Sequence, residues 1–161
     1  MMQVYIGLGS NLAEPVKQIN WAIDALNTLA DTAVIKQSSL YSSPPMGPQD
    51  QPDYVNAVVL IDTELSPHLL LDGLQAIEQQ QGRVRKRHWG ERTIDLDILI
   101  YDDVVIDDQR LQLPHPGIAD RSFVLYPLAE IAPDIDIPIL GDIRQLVENC
   151  PPAGIHLLEK N

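Results

Sequence analysis

Cysteine is almost missing from this chain. Cys150 is the single one in 161 residues, so a disulfide within the chain and a cysteine-built zinc centre are both excluded, and the composition suits a reducing compartment. Long apolar runs are missing too. None approaches the roughly 18 residues of a spanning helix, and the stretch from Met1 to Asn11 lacks a basic start, which points to a soluble cytoplasmic protein with no membrane contact. Positive charge is scarce: 11 Lys and Arg against 23 Asp and Glu leave a net charge of −12, a field that repels nucleic acid and anionic membrane. Aromatic residues are only 5% of the chain, which further disfavours an RNA-reading surface. No G-x-x-x-x-G-K-S/T run occurs, and Gly7-Leu8-Gly9 meets Leu12 where a dinucleotide fingerprint needs glycine. That glycine pair reads instead as close packing at a strand end.

What is present fits one domain spanning 1–161, long enough to bury a core. Val4 to Gly9 predicts a strand. Glu14-Pro15 opens a helix with Val16, Ile19, Ile23, Leu26 and Ala30 at helical spacing and Trp21 on the polar side. Val34 to Tyr41 predicts a second strand. Pro44, Pro45, Pro48 and Pro52 then forbid regular structure before a third strand at Tyr54 to Asp62. Ser66-Pro67 starts a second helix with a Leu70, Leu74, Ile77 stripe, ended by Gly82, and Ile94 to Tyr101 alternates as a fourth strand. Short helices are expected at Val124 to Ile131 and Asp142 to Cys150. The order β-α-β-β-α-β predicts an α+β, ferredoxin-like sandwich with a C-terminal helical and loop extension.

Five of the eleven basic residues, Arg83, Arg85, Lys86, Arg87 and Arg92, fall within ten positions of this acidic chain. Alone they would read as a solvated charge run. Directly after them come Asp95 and Asp97, two apart on a strand, sharing one face with Cα atoms about 6.6 Å apart. Aspartate is depleted in strands and like charges side by side repel, so such a pair is best explained by a hard cation such as Mg²⁺. Cationic donors beside paired carboxylates make a polyphosphate and metal site, and a nucleoside triphosphate fits it.

Tyr54 and Asn56 also share a strand face, where a ring and a planar amide can hold a flat heterocycle; spacing alone allows an ordinary strand pair equally well. His115, between Pro114 and Pro116, could be aimed at phosphate by a rigid turn, although a lone loop histidine is usually only solvated. Phe123 by itself reads as core, and Gln75 and Glu78 as helix surface.

The run from Gly82 through Arg92-Thr93-Ile94-Asp95-Leu96-Asp97-Ile98 closely resembles the signature of the 6-hydroxymethyl-7,8-dihydropterin pyrophosphokinase family, enzymes of folate biosynthesis. Tyr5 to Leu12, Ser43-Pro44-Pro45-Met46-Gly47, Gln51 to Ala57, Leu113-Pro114-His115-Pro116 and Arg121 to Val124 resemble family segments in family order. Ser43 departs where Thr is common, and Glu91 where Pro or Ala is.

The resemblance implies transfer of pyrophosphate from ATP to the pterin hydroxymethyl group with release of AMP. It implies two Mg²⁺ held by Asp95 and Asp97, and a pterin between Tyr54 and Phe123 with its edge read by Asn56 and by Ser43, Pro44, Pro45 and Met46. Arg83, Arg92, His115 and Arg121 would serve catalysis, and Leu71, Gln75, Glu78, Arg85, Trp89, Ile98, Arg110 and His115 the nucleotide. The expected protein is a monomer whose Arg83 to Thr93 loop closes over bound phosphate. Rival readings are a two-metal nucleotidyl cyclase or polymerase-like enzyme and a non-enzymatic ferredoxin-like ligand-binding module.

Overall fold

The computed structural model describes residues 1–11, 14–44, 53–85 and 94–158, and of 82–85 the backbone only. Six strands form one antiparallel sheet: β1 (Met2–Ser10), β2 (Thr32–Gln37), β3 (Tyr41–Ser43), β4 (Tyr54–Thr63), β5 (Asp95–Tyr101) and β10 (His156–Leu157). Its order is β10-β3-β4-β1-β5, with β2 also paired to β4. Two small hairpins lie outside it, β6 (Ile106–Asp107) with β7 (Gln112–Leu113), and β8 (Asp136–Ile137) with β9 (Gly141–Asp142). Four helices complete the described residues: α1 (Pro15–Leu26), α2 (Pro67–Arg85), α3 (Ser122–Ile131) and α4 (Ile143–Glu148). Among them, no helix is long and apolar enough to cross a membrane.

Strand alternation divides the sheet into two faces. Val4, Ile6 and Leu8 of β1, Val55, Ala57, Val59 and Ile61 of β4, and Leu96 and Ile98 of β5 pack against Ile19, Ala22 and Leu26 of α1 and Leu70, Leu74 and Ile77 of α2. The intervening residues face the other way, where Val58, Leu99 and Ile100 meet Leu125 and Leu128 of α3 and Ile143 of α4. The expected C-terminal extension therefore builds a second core on the same sheet.

Three local features depart from the sequence expectation. The strand expected from Val34 to Tyr41 divides into β2 and β3 at residues 38–40, where the Ser38 side chain instead of the backbone accepts the Val58 N–H; within β2 the register also slips between Val34 and Lys36 and leaves Ile35 half exposed. The second helix does not stop at Gly82 but runs to Arg85; a glycine inside a helix costs only about 1 kcal/mol, less than the buried stripe of Leu70, Leu74 and Ile77 supplies. In β5, Leu99 is an extra residue, since Ile6 pairs with Ile98 and the neighbouring Tyr5 with Ile100. Leu99 stays on the α3 side with Asp95 and Asp97, the bulge turns Ile100 to that side as well, and the Leu99 carbonyl accepts from the His115 N–H at 2.8 Å.

Candidate active site

The cleft lies on the α3 face, and its floor is the central strand. Gly7 and Gly9 stand in β1 between Val58 and Asn56 of β4 on one side and Asp97 and Asp95 of β5 on the other. A β-carbon on Gly9 would sit 3.2 Å from Asn56 Oδ1, and one on Gly7 3.3 Å from Leu99 Cδ2. The glycines thus keep open a cavity of about 180 Å³ whose walls include Tyr54, Asn56, Asp95, Asp97, Arg121 and Phe123. The close packing read from Gly7-Leu8-Gly9 is present, and it forms the floor of the site.

One wall comes from β3 and β4. Ser43 pairs with Tyr54 and Tyr41 with Asn56, so all four project to the α3 face. Asn56 is buried at 3% exposure and donates through Nδ2 to Ser43 Oγ at 2.8 Å, which fixes the plane of its amide. Phe123 enters from the first turn of α3, with the Arg121 guanidinium 5.9 Å from its ring centre.

The opposite wall is β5. Asp95 is half-buried and Asp97 exposed, both on the cleft face. Between them Leu96 points the other way, and its N–H donates to Glu78 Oε2 of α2 at 2.8 Å. Glu78 therefore secures the strand from behind, between the two aspartates. Among the described residues no set of three or more acidic, histidine or cysteine side chains gathers here. Two hard oxygen donors fit Mg²⁺, which takes most of its octahedral shell from water and phosphate.

His115 stands beside this wall. Its Nδ1 accepts the Gly117 N–H at 2.9 Å, so the neutral ring carries its proton on Nε2. Burial, with some help from the Arg121 charge, holds its pKa below the ordinary histidine value against the opposing pull of Asp97. Gly117 also gives Arg121 its room, because a β-carbon there would lie 2.8 Å from Arg121 Nε.

Of the other residues expected on the nucleotide side, those described lie around α2. Arg110 donates to Asp72 at 2.6 Å and to Gln75 Oε1 at 3.4 Å, which brings the β6–β7 turn against α2. Ile98 is buried in the α1 and α2 core, with Leu71 packed against it. Pro45, Met46, Trp89, Arg92 and the side chains of Arg83 and Arg85 lie outside the described residues, as does the 86–93 portion of the expected Arg83 to Thr93 lid. Gly9 and Gly117 were not singled out from sequence as site residues. The alternation of Gly7 and Gly9 along a strand was the available signal for the floor, whereas nothing local marks Gly117.

A family model described as 7,8-dihydro-6-hydroxymethylpterin-pyrophosphokinase matches residues 5–133. The 2-amino-4-hydroxy-6-hydroxymethyldihydropteridine pyrophosphokinase of Haemophilus influenzae is 54% identical over 148 residues, covering 92% of this chain and 92% of that protein. The protein of the same description from Pseudomonas aeruginosa is 50% identical over 158 residues, covering 98% of each. In the solved structures, Plasmodium falciparum HPPK-DHPS with SDX-DHP matches 92% of this chain with a TM-score of 0.70 at 15% identity, a likeness of fold. The chain spans 43% of the length of that structure.

Proposed function

The chain belongs to the 7,8-dihydro-6-hydroxymethylpterin-pyrophosphokinase family, ATP-dependent diphosphotransferases of folate biosynthesis, and we propose that the cleft over β1 is where this reaction takes place. The pterin lies between Tyr54 and Phe123, with its edge hydrogen-bonded by Asn56, and the polyphosphate of ATP lies toward Asp95 and Asp97. One observation carries the reading: pairing on both sides of β1 sets a heterocycle-binding wall and a carboxylate wall on one sheet face, separated by two residues without side chains. We read the fold as ferredoxin-like, in keeping with the order β3-β4-β1-β5 and its two crossing helices. We take 1–161 as one domain, since both cores share the sheet.

In this reaction the pterin hydroxymethyl oxygen bonds to the β-phosphorus while the bond from that phosphorus to the α,β-bridging oxygen breaks. AMP leaves with the bridging oxygen, and the hydroxyl proton is lost to solvent. Asp95 and Asp97 would hold Mg²⁺, two ions in our reading, which when bound neutralise polyphosphate charge. Stacking of the pterin between Tyr54 and Phe123, with Asn56 on its edge, aligns the hydroxymethyl oxygen for attack, and alignment of this kind supplies much of the rate. His115 offers Nε2–H to phosphate oxygen as a neutral donor, and Arg121 brings the positive charge. Of the basic run, Arg83 and Arg92 complete the phosphate end, with Arg85 and Trp89 on the nucleotide. Leu71, Gln75, Glu78, Ile98 and Arg110 line the nucleotide side around α2 and β5.

The product nucleotide tests this reading. With ATP, Mg²⁺ and 6-hydroxymethyl-7,8-dihydropterin the protein is expected to release AMP. ADP would mark an ordinary kinase, and inorganic pyrophosphate a cyclase or polymerase-like enzyme.

A further inference from the structure

Glu130 sits in the last turn of α3, where the helix dipole disfavours a carboxylate. It is nevertheless tied down at both oxygens. Ser39 donates to it through its N–H at 3.1 and 3.0 Å and through Oγ at 2.9 Å, and the Tyr41 hydroxyl donates to Oε1 at 2.6 Å. Burial and this bond to Glu130 push the Tyr41 hydroxyl pKa well above its ordinary value. Ser38, next in the chain, is itself fixed to β4: its N–H donates to Val58 O and its Oγ accepts from Val58 N, both at 2.9 Å.

The spacing on both partners gives this contact its meaning. Phe123 and Glu130 are seven residues apart on α3, two turns and about 10.5 Å along one helical stripe. Tyr41 and Ser43 are two apart on β3 and face the same side. The helix and the strand are thus joined at one end by Glu130 and Tyr41. At the other end they carry Phe123 against Ser43, Tyr54 and Asn56, the two sides of the slot. We propose that Glu130 is a positioning residue, which through Ser39 and Tyr41 sets the rotation and distance of α3 and hence the width of the pterin slot. The proposal rests on the assignment of that slot to the pterin.

The test compares ligands on folded protein. Wild type, Glu130→Gln, Tyr41→Phe, the double variant and a remote core variant, Leu26→Ala, are titrated calorimetrically with 6-hydroxymethylpterin in the presence of Mg²⁺ and α,β-methylene-ATP. The nucleotide analogue is titrated separately, and melting temperatures are recorded. Glu130→Gln and Tyr41→Phe should each raise the pterin Kd about tenfold, the double variant little further, because both break one linkage, with analogue Kd within about twofold of wild type. Leu26→Ala should lower the melting temperature and leave both Kd values unchanged. If the Glu130 and Tyr41 variants lose melting temperature but keep the wild-type pterin Kd, the residue only stabilises the fold and the proposal is wrong. A wild type that binds no pterin overturns both the slot assignment and the clamp, whereas normal wild-type binding with unaffected variants overturns the clamp alone.

Discussion

Gly9 and Asn56 face each other across β1 and β4, and a methyl group on Gly9 would lie 3.2 Å from Asn56 Oδ1. The Asn56 amide cannot retreat easily, since it is buried and its Nδ2 is held by Ser43 Oγ. Gly9→Ala should therefore turn the amide out of plane and weaken pterin binding about tenfold, or about 1.4 kcal/mol, with little effect on the nucleotide. Calorimetric titration of each ligand checks this, and a pterin Kd within about twofold of wild type would show that the amide has room to give.

Asp95→Ala and Asp97→Ala each remove a donor from the proposed cation site. Turnover should fall by roughly a thousandfold, about 4 kcal/mol of transition-state stabilisation, while the melting temperature stays near wild type or rises as the like charges separate. Near-normal turnover of either variant at limiting Mg²⁺ would remove the metal assignment.

Tyr54→Ala and Phe123→Ala should each cost pterin binding about 1 kcal/mol or more through lost stacking and burial. The affinity for a nonhydrolysable ATP analogue should hardly change. Equal losses for both ligands would count against a pterin sandwich.

A pH effect is expected away from the cleft. Asp108 accepts the N–H groups of Arg110 and Leu111 and pairs with His68 at 2.8 Å. These contacts, the Arg110 N–H first, hold its carboxyl below the usual range. A depressed carboxylate stabilises the fold fully above its unfolded value, about 3.9, and loses that contribution as pH falls through the lower folded value. Asp108→Asn should flatten the acid limb of the stability curve below about pH 4. Denaturant titrations from neutral to acid pH would show this, and parallel curves for the two proteins would refute it.

The parts legible in the sequence are those written in local periodicity. The Leu70, Leu74 and Ile77 stripe is buried on α2, and the alternation around Asp95 and Asp97 does turn both carboxylates to one face. Features that depend on a distant partner were not legible. The bulge at Ile35 exists only relative to β4, and the one at Leu99 only relative to β1. Glu130 meets Ser39 across 91 positions of chain, so neither residue alone marks the linkage. His115 could be noticed between its prolines, but its tautomer depends on a backbone N–H two residues on. Phe123, which by composition reads as core, lies at the cleft because α3 begins there.

β1 is bonded to β4 over nine residue pairs and to β5 over six. Amides on such a doubly paired strand exchange with deuterium through global unfolding more than through local opening, so Gly7 and Gly9 should be among the slowest-exchanging positions of the chain. Glycine is the residue with most backbone freedom to lose, and here that loss is complete on folding, before any ligand arrives. A ligand resting on this strand meets a surface that needs no further ordering. The backbone of β1 therefore adds nothing to the entropic penalty of binding.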